Sequence, residues 1–277
     1  MVSITALKDA KRGISAENRT LLSNLHRFAK GPITVKDAID ILNLPKERVS
    51  KLLPYLASSG WLKRIKRGTY LLIPLEARSP TDWTENDWVI AAKIFDPAYI
   101  GGWSAANHWG FTDQLFNSTV VFTTHKVRNR NIQLGEFSFV VRTVKDSRFY
   151  GLQTMWKDQS KVMVSDPTRT IVDILDTPSL GGGIRHAAEV ISNYFLSSNC
   201  DEDKLLEYIE KFDNRAIYKR LGYLIESLNI KASSAFIEKL SKKVNRGLAY
   251  IDPELPHNGE RNKKWNLVVN ANFDSIQ

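Results

Sequence analysis

The chain of 277 residues is longer than a usual single domain, so two or three domains are expected, and its 43% hydrophobic and 25% charged residues match an ordinary globular protein rather than a disordered or fibrous one. No apolar run approaches the ~18 residues that a membrane span needs, and MVSITALKDAKRGIS at the N-terminus lacks the apolar core of a secretory signal, which makes a cytoplasmic protein the expectation. The single cysteine, Cys200, excludes an internal disulfide and a multi-cysteine zinc site, and no His stands near it in sequence to activate it as a nucleophile. The formal charge of +9 is unevenly placed: residues 1–75 hold 14 Lys and Arg against five acids, while the rest of the chain holds 25 of each sign. An excess confined to the first quarter marks an electrostatic module, for nucleic acid or an anionic membrane surface, joined to a neutral remainder.

In chain order, Ser15 or Ala16 can cap a first helix whose apolar face is Leu21, Leu22, Leu25 and Phe28 and which stops before Gly31-Pro32. Thr34 can cap a short second helix with Val35, Ala38, Ile39 and Leu42 at helical spacing, ending at Asn43. After a tight turn at Pro45, Val49, Leu52, Leu53 and Leu56 form the inner face of a third helix whose outer face shows Lys46, Glu47, Arg48, Ser50, Lys51 and Tyr55. Pro54, lacking an N–H, is expected to kink that helix or end it early. WLKRIKRGTYLLIP then reads as strand, turn and strand, with Lys66-Arg67-Gly68 at the tip and Gly68 supplying positive φ. Two short helices joined by a tight turn, the second one basic, followed by a basic hairpin, form the order of a winged helix-turn-helix, whose third helix enters the major groove and whose wing follows phosphates. No helix here joins a polybasic face to a bulky aromatic one, so the pattern favours double-stranded DNA over a membrane. The candidate DNA-binding residues are Thr34, Lys36, Lys46, Arg48, Ser50, Lys51, Lys63, Arg64, Lys66 and Arg67.

EARSPTDWTEND, residues 76–87, reads as a boundary, which divides the chain into a DNA-binding domain at 1–77 and a second domain at 78–277. A helix from Asp82 or Thr84 to about Phe95 follows, then a strand, a Gly-Gly turn and a helix in AYIGGWSAANHWGFTDQ, which lacks both phosphate-loop patterns. STVVFTTHK, GEFSFVVRTV and KVMVSD predict three strands, the first two joined by the loop KVRNRNIQLG, whose Lys126, Arg128 and Arg130 are either solvated or near DNA. Strands therefore occupy 98–165. SDPTRTIVDILDTP predicts a capped helix, four more helical patterns carry the chain to 245, and one returning strand lies within 264–270. The expected fold class is α+β: an N-terminal winged helix-turn-helix domain, then a larger mixed α/β domain with a helical second half.

The search for chemistry finds little. Asp173 and Asp176, three apart on a helix, read as a solvated face rather than metal ligands, the five histidines are scattered, and neither H-E-x-x-H nor G-x-S-x-G occurs. No catalytic residue, metal ligand or cofactor is expected, and the alternatives to a plain DNA-binding protein are a ligand-responsive regulator and, less well supported, a DNA-targeted nuclease.

The blocks GWLKRIKRGTYLLIP, YIGGWSAANHWGFTDQ, SDPTRTIVDILDTPSLGGGIRHAAEV, NRAIYKRLGYLIE and LAYIDPELPHNG…WNLVVN, in this order over about residues 20–270, resemble the AbiEi antitoxin family of bacterial AbiE-type toxin–antitoxin systems. The resemblance implies a transcriptional repressor of its own operon that binds promoter repeats through the winged helix, and a C-terminal domain that counters a nucleotidyltransferase-like toxin without a necessary stable complex. It puts the basic DNA contacts on Lys46, Arg48, Lys51, Lys63, Arg64, Lys66 and Arg67. It suggests Asp166 to Arg169, Arg185-His186 and Asn214-Arg215 to Tyr223 for the antitoxic surface, with a folding role as the alternative.

Overall fold

The structure, a computed structural model, describes residues 11–77, 79, 83–157 and 159–271. Its compact units are 1–96 with 133–138 and 156–162, and 97–132 with 139–155 and 163–277. The expected α+β class and the N-terminal winged helix are both present.

In the first unit, helix α1 (Ala16–Phe28) begins at Ser15, whose side chain accepts from the Asn18 N–H, and buries Leu22 and Leu25. Strand β1 (Ile33–Thr34) leads into helix α2 (Val35–Leu42), which ends on Asn43 in the left-handed region. Helix α3 (Lys46–Ser58) buries Val49, Leu52, Leu53 and Leu56. Burying each such side chain is worth ~1.5–3 kcal/mol, and this shared core sets how α2 and α3 pack.

The expected early end of α3 does not occur: the helix continues past Pro54 to Ser58. Pro54 and Ser50, the residue whose carbonyl loses its partner, are both exposed, so the ring points outward and water can satisfy that carbonyl. Strands β2 (Leu62–Lys66) and β3 (Thr69–Leu72) form the antiparallel wing, and β1 adds to β3 to make a sheet of order β1-β3-β2. Helix α4 (Asp87–Ile94), capped by Asn86, also belongs to this unit; it starts later than the sequence pattern suggests.

Strands β4 (Ala98–Ile100), β5 (Thr119–Thr123), β6 (Asn131–Leu134), β7 (Phe137–Thr143), β8 (Leu152–Lys157) and β9 (Ser160–Ser165) form a mixed sheet of order β6-β7-β5-β4-β9-β8. Helix α5 (Gly102–His108) follows β4. The segment expected as a loop between the first two strands contains β6, and β5 and β7 are parallel neighbours rather than a hairpin. Arg130, just before β6, pairs with Glu254 at 3.1 Å.

In the helical half, α6 (Pro167–Asp176) is central, with every residue from Pro167 to Leu175 buried. Helices α7 (Ile184–Leu196), α8 (Glu202–Phe212), α9 (Arg215–Ser227) and α10 (Ser234–Lys242) build the largest apolar cluster with it. A small sheet of β10 (Ala249–Tyr250), β11 (Glu260–Asn262) and β12 (Leu267–Val269) closes the fold, where a single strand was expected. Gly222 on α9 lets the chain approach Trp265, since a Cβ there would fall 2.2 Å from the indole. Arg220 donates to the carbonyls of Leu175 and Asp176, satisfying the last turn of α6 from a neighbouring helix.

The Asp173–Asp176 pair is not a solvated face. Asp173 is 1% exposed and takes the Arg169 guanidinium at 2.9 Å, while Asp176 accepts from Arg142 at 3.0 Å and from Asn214 at 2.7 Å. Burial pushes the Asp173 carboxyl up, opposed by Arg169. The block Asp166 to Arg169, suggested as surface, is likewise interior: Asp166 caps α6, and Arg169 lies fully buried against the rings of Tyr150 and Phe212. His186 is buried too, between Gly181 and Thr112.

Candidate nucleic-acid interface

The interface is built on α2, α3 and the wing. Thr34 and Asp37 cap α2 reciprocally: the Asp37 carboxylate accepts from the Thr34 N–H at 2.8 Å and its hydroxyl at 2.9 Å, and the Asp37 N–H donates back to that hydroxyl at 3.2 Å. Lys93 of α4 adds an ion pair to Asp37 at 2.9 Å. Burial raises the Asp37 carboxyl, but the Lys93 and Thr34 hydrogen bonds outweigh it and hold the group below the usual carboxylate range. Thr34 is therefore spent on folding, with its hydroxyl already donating and accepting, whereas Lys36, two positions on, is exposed.

At 3.6 residues per turn, Glu47, Lys51 and Pro54 of α3 lie diametrically opposite the buried stripe, with Lys46 and Ser50 on one flank and Arg48 and Tyr55 on the other. All seven are exposed. Arg48 is held by Glu17 of α1, which draws it from the centre of the face. With both partners in solvent the pair is worth at most ~1 kcal/mol and can be exchanged for another anion.

In the wing, Leu62 pairs with Leu72, Lys63 with Leu71 and Arg64 with Tyr70, and the register then shifts so that Lys66 pairs with Thr69. The extra residue, Ile65, turns inward, while Arg64, Lys66 and Arg67 stay exposed around Gly68 at φ 77°. Lys63 is engaged by Glu136, which also accepts from Thr84 at 2.9 Å. Glu136 is pushed up by burial, but Lys63 and Thr84 hold it below its ordinary value.

The ten sequence candidates thus fall into three groups. Lys36, Lys46, Lys51, Arg64, Lys66 and Arg67 are exposed with no carboxylate partner among the described residues, and Ser50 is exposed beside them. Arg48 and Lys63 are on the right elements but already paired. Thr34 is a helix cap. The neutralising carboxylates, Glu17 and Glu136, were not legible in sequence, since Glu136 is brought to Lys63 from 73 positions away.

Residues 20–73, from the first turns of α1 to the end of β3, match the family described as transcriptional regulator, AbiEi antitoxin. This segment is similar to the AbiEi antitoxin family. The matched segment contains every candidate DNA contact, and the blocks quoted beyond residue 73 lie outside it. No curated protein matches the chain. A solved structure, the RV2827C protein from Mycobacterium tuberculosis, is similar over 94% of each chain with a TM-score of 0.65 and 16% identity, which shows a shared fold. No described helix is long and apolar enough to cross a membrane, and no three His, Cys, Asp or Glu side chains among the described residues come together as a metal site.

Proposed function

We propose that the protein is a DNA-binding antitoxin and transcriptional autorepressor of a bacterial toxin–antitoxin operon, acting in the cytoplasm. In this reading residues 1–77 bind double-stranded DNA at repeated promoter sites, and residues 78–277 counter a nucleotidyltransferase-like toxin, with contact to the toxin not required. The observation that carries it is the cluster of six exposed cations, unpaired among the described residues, on α2, α3 and the wing of a segment that matches the AbiEi family. Cations without intramolecular partners have no ion pair to break when they meet phosphate, and each releases counterions from DNA.

The cations of α3 suit the major groove and those of the wing suit the flanking phosphates. The test is a promoter fusion together with co-expression of the adjoining gene. The reading predicts that the protein lowers expression from its own promoter and relieves the growth arrest caused by the neighbouring gene product. Failure of both would refute it; loss of repression alone in a variant lacking Lys66 and Arg67 would assign repression to the wing.

A further inference from the structure

The second compact unit contains a cavity of about 510 Å³, within the ~300–1,000 Å³ of small-ligand pockets. It lies where the end of β5, the end of β7 and the turn at Asp146–Arg148 meet the ends of α6 and α8. Its cations are Lys126, Arg142, Lys145 and Arg148, and its carboxylates are Asp146 and Asp176.

Two of the cations are fixed in place. Arg142 donates to Asp176 at 3.0 Å and to Thr177, and Asp176 is itself held by Asn214 at 2.7 Å. The Arg148 guanidinium carbon sits 3.3 Å from the centre of the Phe212 ring, which orients its plane without consuming its charge. Since Asp176 is spent on Arg142, Asp146 alone faces Lys126, Lys145 and Arg148, none of which has an ion-pair partner among the described residues. Phe122, Phe212 and Val144 supply apolar wall. A concave, ligand-sized site with an oriented guanidinium and two exposed ammonium groups matches oxyanions of a compact ligand better than a duplex, which presents its phosphates on a convex surface.

We propose that this cavity binds a small ligand bearing a di- or triphosphate group. Lys126, Lys145 and Arg148 would contact the phosphate oxygens, and Arg142 would add field from its fixed position. The inference does not depend on DNA binding by the winged helix.

Isothermal titration of the full-length protein with inorganic pyrophosphate and with ATP tests it and distinguishes an inorganic from a nucleotide source. Saturable binding of either is expected, weakened about tenfold or more by Lys126→Ala with Lys145→Ala, which removes two charge-assisted contacts to the phosphate oxygens. Both side chains are exposed, so the variant should retain the native near-UV circular dichroism. Lys66→Ala with Arg67→Ala should leave this binding intact. The proposal is overturned if neither probe binds at millimolar concentration, if binding survives the cavity double variant, or if the wing variant abolishes it. It is also overturned if the cavity variant weakens only duplex DNA binding, which would make these cations DNA contacts.

Discussion

The Arg169–Asp173 pair offers a sharp test of how the second unit is held together. Arg169 and Asp173 are 0% and 1% exposed, so neither water nor salt screens them. The guanidinium reaches the carboxylate at 2.9 and 3.0 Å and donates to the Tyr99 hydroxyl at 3.0 Å, while Nη1 has no acceptor among the described residues and the guanidinium carbon lies 4.3 and 4.9 Å from the centres of the Tyr150 and Phe212 rings. Asp173→Asn keeps the shape but strands a buried cation, and breaking a buried pair from one side costs ~3–5 kcal/mol. Arg169→Met combined with Asp173→Leu removes both charges and leaves only the Tyr99 hydroxyl unpartnered, a penalty of ~1–3 kcal/mol. The double variant should therefore be the more stable of the two. Urea unfolding followed by far-UV circular dichroism and tryptophan fluorescence would show this as separate shifts in the transition of the second unit. An Asp173→Asn protein within ~1 kcal/mol of the parent, or a double variant that is less stable than the single one, would refute the reasoning.

Two further outcomes follow from the same kind of argument. Thr34→Val removes a cap worth ~1 kcal/mol, and because Asp37 is held below its ordinary value its contribution is full above the unfolded value and lost as pH falls through the folded one; an acid-sensitive unfolding midpoint for the winged helix that becomes flatter in Asp37→Asn is expected, and parallel pH profiles would contradict it. Cys200 has its thiol pushed up to about 11 by burial and then by Glu202 and Asp201, so iodoacetamide at neutral pH should label the native protein far more slowly than the urea-unfolded one, and equal rates would count against this environment.

What the sequence revealed and what it concealed divide along physical lines. The winged helix was legible because its signals are local: Ser15 and Thr34 cap, Asn43 takes the left-handed turn, and Val49, Leu52, Leu53 and Leu56 mark one face. Strands β6 and β8 escaped because they are the two edges of their sheet, each paired on one side, and NIQL and LQTMWK lack the apolar signature of inner strands such as TVVFT. Pro54 misled because propensity is local, whereas the buried face of Val49, Leu52, Leu53 and Leu56 holds the helix together across it and leaves the ring and the Ser50 carbonyl on the exposed side. Asp173 resembled a surface acid because nothing in TRTIVDILD tells that α6 is surrounded; the i,i+4 spacing from Arg169 was the one available hint. For the candidate interface, the sequence located the cations correctly on their elements, but the split between free and paired ones depends on Glu17 and Glu136, which only the fold brings near.

The central claim, that the winged helix meets DNA through its unpaired cations, is tested most directly by the salt dependence of binding to the protein's own promoter. Fluorescence anisotropy of the full-length protein should give a steep log–log slope, and each phosphate-contacting cation removed should lower it by ~0.9. Arg64→Ala, Lys66→Ala and Arg67→Ala together should reduce the slope by ~2.7, whereas Arg48→Ala and Lys63→Ala, which start from paired side chains, should each change it less. A slope and affinity unchanged in the triple variant would contradict the account.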